Sequence, residues 1–274
     1  MKRLWELILG ILVTASVLSG CASKTSGDSP EVLVFNAGKA DTILIHTSSS
    51  AILIDCGEED FADEILEKLE EYGIKTLDAL IITHFDKDHV GGAAHIVRSL
   101  NIKQVIQSDF PKDSDEYKNY TASLKEKNYV PITVSANLSF MVDSVKYYVY
   151  PHRSESYEDS PSNNSSLITI VVYGDTKFLF MGDAETQRIA EFLEENDETY
   201  DFLKVPYHGH YQELLEELIA EVMPNHAAIT SSSKEKEDDA TVELLEKYGA
   251  SVWLARNGNI LVKTDGTTVT VTQE

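Results

Sequence analysis

Residues 80–92, reading L-I-I-T-H-F-D-K-D-H-V-G-G, constrain the fold of this chain more than any other stretch. The apolar run at 79–83 predicts a strand, and it empties directly into His84, Asp86, Asp88 and His89. Imidazoles and carboxylates at a strand's C-terminal end offer nitrogen and oxygen donors to a divalent ion. Positions i, i+2, i+4 and i+5 do not share one face of a helix, so the spacing predicts an irregular loop. Gly91 and Gly92 follow, with the backbone freedom to bend that loop until all four side chains aim at one point. The alternative is a solvated polar loop, and the density of ligand types speaks against it.

Short β-branched or apolar runs at 32–36, 42–47 and 51–55 predict strands ahead of this stretch, punctuated by Gly38 and Gly57. Phe61, Ile65, Leu66 and Leu69 set among acids predict an amphipathic helix over 61–72, ended by Gly73. A helix at 92–100 and a strand at 104–108 follow, then a charged helix at 116–127 and strands at 132–134, 138–142 and 145–150. A polar loop at 154–166 leads into a hairpin, 167–173 and 177–181, around Gly174-Asp175. Beyond it, helices at 184–194, 212–222 and 240–248 alternate with strands at 202–205 and 227–230, and strands at 251–255, 260–263 and 268–272 end the pattern. The periodicity predicts one α/β or α+β domain over 32–274.

Two more predicted strand ends carry ligand types. Met181-Gly182-Asp183 closes one, where Asp183 either caps the following helix or presents a carboxylate at the sheet edge. The other is F-L-K-V-P-Y-H-G-H, with Tyr207, His208 and His210. His152 follows Pro151 in a loop, while His46, His95 and His226 read as structural or surface residues. Cys56, in I-L-I-D-C-G, reads as a small buried side chain.

The H-F-D-K-D-H segment resembles the H-x-[HD]-x-D-H signature of the metallo-β-lactamase fold superfamily, in the version found in ComEC-type competence proteins. Four further segments resemble that family in the same order: G-K-A-D-T-I-L-I at Gly38, N-N-S-S-L at Asn163, G-D at Gly182 and L-K-V-P-Y-H-G-H at Leu203. The resemblance implies a four-layer αββα sandwich. It further implies that His84 and Asp86, with His152 as a third ligand, hold one ion. Asp88, His89 and His208 hold a second, and Asp183 bridges the two. Asp88 and Tyr207 are the residues it points to for catalysis, Tyr207 standing where the family has an imidazole. Asp41, Asp55, Asn164 and His210 are implied in support of the ligands. Two Zn²⁺ per chain are expected, with Mn²⁺ the alternative because Asp86 makes the set richer in oxygen. The implied reaction is hydrolysis of a phosphodiester in a nucleic acid, a nucleotide or a wall polymer. A catalytically impaired, lipid-anchored binding protein on the same fold is the second reading, and Tyr207 favours it.

Charge narrows the partners. Forty-six Asp and Glu against 23 Lys and Arg give a formal charge of −23, which repels polyanions and argues against strong nonspecific nucleic-acid binding. Lys2 and Arg3, an apolar run at 4–18 and L-S-G-C at 18–21 predict a lipoprotein signal over 1–20 with lipidation at Cys21. Residues 21–31 then read as a flexible tether, and the chain is expected outside the cytoplasm, anchored to the bacterial membrane by lipid. Cys56 alone remains after Cys21, so no internal disulfide is expected.

Overall fold

The computed structural model describes residues 29–274. The expected signal segment, Cys21 and the tether up to residue 28 lie outside the described residues. Among the described residues, no helix is long and apolar enough to cross a membrane.

Among the described residues, fifteen strands build two sheets. In chain order they are β1 (Glu31–Val34), β2 (Ile43–His46), β3 (Ala51–Ile54), β4 (Thr76–Ile82), β5 (Asn101–Ser108), β6 (Ile132–Val134), β7 (Leu138–Val142) and β8 (Val145–Tyr150), then β9 (Ile168–Tyr173), β10 (Thr176–Phe180), β11 (Phe202–Lys204), β12 (His226–Ile229), β13 (Ser251–Leu254), β14 (Ile260–Thr264) and β15 (Val269–Gln273). The first sheet has the order β15-β14-β1-β2-β3-β4-β5-β6 and the second β13-β12-β11-β10-β9-β8-β7. Strands β3 to β6 run parallel in one sheet, as do β10 to β13 in the other.

The two-residue period of each strand divides its side chains between two cores. On β1, Val32 and Val34 face the second sheet, where they join Ile43, Ile81, Phe178 and Phe202 in the central core. Leu33 and Phe35 point the other way, onto the helices α1 (Ala62–Glu71), α3 (Ala93–Ser99) and α4 (Asp115–Lys127). The second sheet repeats this, with Leu179 and Leu203 covered by α6 (Thr186–Leu193), α7 (Leu215–Val222) and α8 (Asp239–Lys247). Strands buried on both faces need near-continuous apolar runs, which is why Ile43–Ile45 and Ala79–Ile82 do not alternate with polar residues. The result is the four-layer αββα sandwich.

Three local expectations are corrected. Lys87–Val90 closes one helical turn, α2, which carries Asp88 and His89; only His84 and Asp86 stay on irregular backbone. Gly91 and Gly92 have helical dihedrals and bend nothing. Their role is close approach: a Cβ on Gly91 would meet the Lys87 carbonyl at 2.4 Å, and one on Gly92 the Cys56 carbonyl at 2.4 Å. Bare backbone there lets α2 and α3 press against the segment after β3. The polar loop before β9 also holds a turn of helix, α5 (Pro161–Asn164), with proline preset in its first turn.

Candidate metal centre

The C-terminal ends of the parallel strands in both sheets meet at one place, where open α/β sheets bind ligands. Sheet one contributes Asp55 after β3, then Thr83, His84 and Asp86 after β4, and Asp88 and His89 from α2. Sheet two contributes Asp183 after β10, Lys204 at the end of β11, His208 from the turn Pro206–Gly209 and Thr230 after β12. Asp88, His89, Asp183 and His208 bring ligand atoms within 4.8 Å of one another. His89 Nε2 lies 3.2 Å from Asp183 Oδ1, and His208 Nε2 lies 3.1 Å from Asp183 Oδ2 and 3.4 Å from Asp88 Oδ2. Asp183 thus stands between two imidazoles with one oxygen toward each. It does not cap the next helix, which starts at Thr186. His84 packs ring to ring on His89 at 4.1 Å, and its Nε2 lies 3.9 Å from Asp86 Oδ1.

The outward nitrogens decide whether these residues fit a metal. His208 Nδ1 lies 3.0 Å from the Thr230 carbonyl, which only accepts, so Nδ1 carries the proton. His89 Nδ1 lies 2.8 Å from Asp55 Oδ2, again an acceptor. His84 Nδ1 lies 3.1 Å from Thr83 Oγ, whose own proton goes to Asp55 Oδ2. In its neutral form each ring therefore turns an Nε2 lone pair inward, and all three Nε2 atoms are buried with no donor to them. Asp183 Oδ1 is buried and unpartnered beside them. Orphaned buried acceptors are costly unless a cation fills the space between them. The donor set fits a divalent metal.

Backbone strain sharpens the aim. Asp55, Tyr207 and His208 all have left-handed φ, at 56°, 50° and 53°. Such non-glycine conformations cost about 1–3 kcal/mol each and persist where surrounding structure holds them. Asp55 is held by accepting Thr83 N–H at 2.8 Å, while its own amide donates to Ile81 O.

Protonation in the metal-free centre follows from burial set against mutual charge. Burial opposes a charged His89, but Asp183 and Asp55 outweigh it and push the ring well above its ordinary range. Burial likewise opposes a charged His208, and Asp183, Asp88 and Asp41 push it up. His84, buried and beside His89, is held down at about 4. Burial of Asp183 and partial burial of Asp88 oppose their charge, yet the histidines hold both below the usual carboxylate range. Asp55 goes the other way because its burial outweighs His89.

A pH prediction arises here. Above pH 6.5 the unfolded imidazoles are neutral while folded His89 and His208 still hold protons, so stability falls as pH rises through their raised values. Between about 4 and 6.5 the unfolded chain protonates His84 while the fold keeps it neutral, so stability falls as pH drops. His46 and His226, lowered by burial, add to the acid-side loss. The metal-free protein is expected to be most stable near pH 6.5, the ordinary imidazole value. With metal bound, ligation needs neutral imidazoles, so the alkaline loss disappears. Thermal melts from pH 5 to 9, with and without chelator, check both limbs.

The supporting residues are placed as follows. Asp55 orients His89 directly and His84 through Thr83. Asp41 accepts the Thr230 hydroxyl at 2.7 Å, pairs with Lys204 and lies 3.6 Å from His208 Nδ1. Tyr207 is half-buried, and its hydroxyl is pushed up by burial and then by Glu185, Asp183, Asp88 and Asp86. His210 lies 5.1 Å from the Tyr207 ring, tilted 54° to it, and faces Asp238 at 3.7 Å. Cys56 is buried and unpaired.

Two expected residues are not brought to the cluster. His152 is held at both ring nitrogens, by Asp109 Oδ1 and by the Ser154 carbonyl, each at 2.7 Å, so it is not free to ligate beside His84. The Asn164 side chain is occupied by the Arg188 amide and the Asp159 carbonyl. Ser166 takes the supporting place instead: its Oγ accepts Asp183 N–H at 3.2 Å and lies 3.3 Å from His84 Nδ1. Lys204, unassigned from the sequence, is fully buried, donates to Gly182 O at 3.0 Å and lies 3.8 Å from Asp183 Oδ1. A lysine inside an otherwise apolar parallel strand was the available signal.

A family model described as the metallo-beta-lactamase superfamily matches residues 36–230. The chain belongs to the metallo-beta-lactamase superfamily. Among relatives, it is 27% identical over 194 residues to ComE operon protein 3 of Bacillus subtilis, covering 69% of this chain and 25% of that protein. It is 27% identical over 206 residues to Recombination protein 2 of Haemophilus influenzae, covering 73% of this chain and 24% of that one. The superfamily domain thus spans about a quarter of the length of these curated relatives. Solved structures agree on the fold. The metallo-beta-lactamase fold protein YhfI from Bacillus subtilis superposes with a TM-score of 0.58 at 11% identity, over 89% of this chain and all of that one. The diiron beta-hydroxylase CmlA from Streptomyces venezuelae superposes at 0.52 and 12% identity, over 88% of this chain and 55% of that one.

Proposed function

We propose that the protein is a phosphodiesterase that works with two divalent ions. The observation that carries this reading is the convergence of the His89 and His208 Nε2 atoms on Asp183 beside Asp88, with the buried His84–Asp86 pair packed alongside. Asp88, His89 and His208 would hold one ion and His84 and Asp86 the other, with Asp183 as a ligand they would share. Bound there, such ions supply Lewis acidity and lower the pKa of water toward neutrality. The chain's own contribution is rigidity and charge. Asp55, Thr83 and Thr230 lock the imidazoles, and Lys204 balances Asp41. Tyr207, its hydroxyl kept protonated by burial and by the acids around it, donates a hydrogen bond to an oxygen that gains charge.

Relatives named for competence and recombination support a phosphodiester substrate. The formal charge of −23 favours small or sparsely charged esters, nucleotides or wall polymers among them, over long duplex DNA. Zn²⁺ suits the imidazoles, and the carboxylates leave Mn²⁺ as the alternative. The superfamily domain is proposed to run over 32–274, outside the cytoplasm on a lipid anchor at Cys21.

The test is metal content together with hydrolysis of bis-p-nitrophenyl phosphate, for the parent, Asp88→Ala and His208→Ala. Two ions in the parent, with turnover lost in both variants, is the expected result. No turnover with Zn²⁺ or Mn²⁺ supplied would sink the enzyme reading and leave a lipid-anchored binding protein, the reading that Tyr207 and the engaged His152 favour.

A further inference from the structure

The two halves of the centre differ in what already holds them. Asp88, His89, Asp183 and His208 form a four-donor set, and its imidazole Nε2 atoms lack hydrogen-bond partners. His84 and Asp86 stand beside that set, and here a cation is already in place. The Lys112 ammonium lies 2.5 Å from Asp86 Oδ1, and the Ser162 hydroxyl donates to the same oxygen. Lys112 comes from the segment between β5 and α4, and Ser162 from α5, so two separate crossings close over this carboxylate. The imidazole expected to complete this half, His152, is fixed to Asp109 and Ser154.

Resting on the metal-centre reading above, we propose that the centre loads unequally. The Asp88–His89–Asp183–His208 set takes its divalent ion first. The His84–Asp86 pair takes a second ion only in competition with the Lys112 ammonium. A charge-assisted hydrogen bond at this distance is among the strong ones, and an incoming ion must displace it or share the carboxylate with it. Sharing puts a divalent ion and an ammonium within a few ångströms in a partly buried site, where like charges repel far more than in water. The pair also supplies fewer donors than the four of a tetrahedral site, even with one Asp183 oxygen added. Lys112 is therefore a positioning residue that sets the metal concentration at which the centre becomes dinuclear.

The experiment titrates metal-free protein with Mn²⁺, following the free-ion paramagnetic resonance signal, and with Zn²⁺ by calorimetry. The parent is compared with Lys112→Met, Lys112→Arg and Ser162→Ala. The parent is expected to bind two ions in steps at least tenfold apart. Lys112→Met should tighten the weaker step tenfold or more and leave the stronger one in place, while Lys112→Arg keeps the parent's separation. Ser162→Ala, which removes a neutral donor from the same oxygen, should move the weaker step in the same direction by less, and reads the same step should Lys112→Met fold poorly. Two ions bound at one affinity, or a weaker step unmoved in both Lys112→Met and Ser162→Ala, overturns the proposal. A parent that stops at one ion supports it only if Lys112→Met restores the second. Failure to bind either metal would overturn the metal-centre reading itself.

Discussion

Asp183→Asn is expected to bring metal content from two ions per chain to one or none and to lower phosphodiester turnover by more than about 100-fold. Altering groups one step removed from a metal typically costs about 10–100-fold in affinity or activity. Asp183 belongs to the four-donor half, with one oxygen 3.2 Å from His89 Nε2 and the other 3.1 Å from His208 Nε2, and its charge also reaches the buried His84 ring. An amide keeps the shape but loses the charge, and its nitrogen cannot offer a second ligand oxygen. The metal-free variant should differ as well. Asp183 helps to raise both His89 and His208, so without it the two rings release protons at lower pH, and the alkaline loss of stability above pH 6.5 is smaller and complete sooner. Metal analysis, steady-state kinetics and melts across pH read these effects separately. A variant that keeps two ions and parental turnover would remove Asp183 from the centre.

Much of this centre was legible because its chemistry sits at strand ends. A strand rich in Ile and Leu that stops at His84, one that stops at Gly182-Asp183, and one that leads to His208 are each visible in a single sequence. Their convergence came only with the family resemblance, since it depends on two sheets presenting the C-terminal ends of their parallel strands to one another. The residues missed are those whose identity carries little signal. Thr83, Ser166 and Thr230 are small hydroxyl residues of kinds found in any loop, and they matter only because each meets an imidazole nitrogen. Asn164 is displaced from the expected role by the helical turn of α5, which directs its amide to Arg188 and Asp159 and leaves Ser166, two residues on, facing His84. His152 misled for the opposite reason: imidazole is a common ligand, but an acidic neighbour, Asp109, was placed to take it. Gly91 and Gly92 suggested bending, when space against the Cys56 segment was the constraint.

Lys204→Met is expected to destabilise the protein by about 3–5 kcal/mol, the range found when one partner of a buried ion pair is removed. Lys204 and Asp41 are both fully buried and paired, and the ammonium also donates to Gly182 O at 3.0 Å. Methionine fills a similar volume, so the loss comes from charge and not from a cavity. It leaves Asp41 with the Thr230 hydroxyl as its remaining close donor, and leaves the Gly182 carbonyl without the ammonium. Asp41 then has to take up a proton or move. Either response disturbs Thr230, which also holds His208 Nδ1, so metal affinity should fall by about 10–100-fold. The double variant Lys204→Met/Asp41→Asn separates charge from packing. Removing both charges should recover most of the lost stability, because replacing a whole buried pair is often neutral while breaking it is not. Chemical denaturation of parent, single and double variants in chelator forms the cycle, and a coupling energy below about 0.5 kcal/mol, the range of independent sites, would show that the pair does not act as one unit.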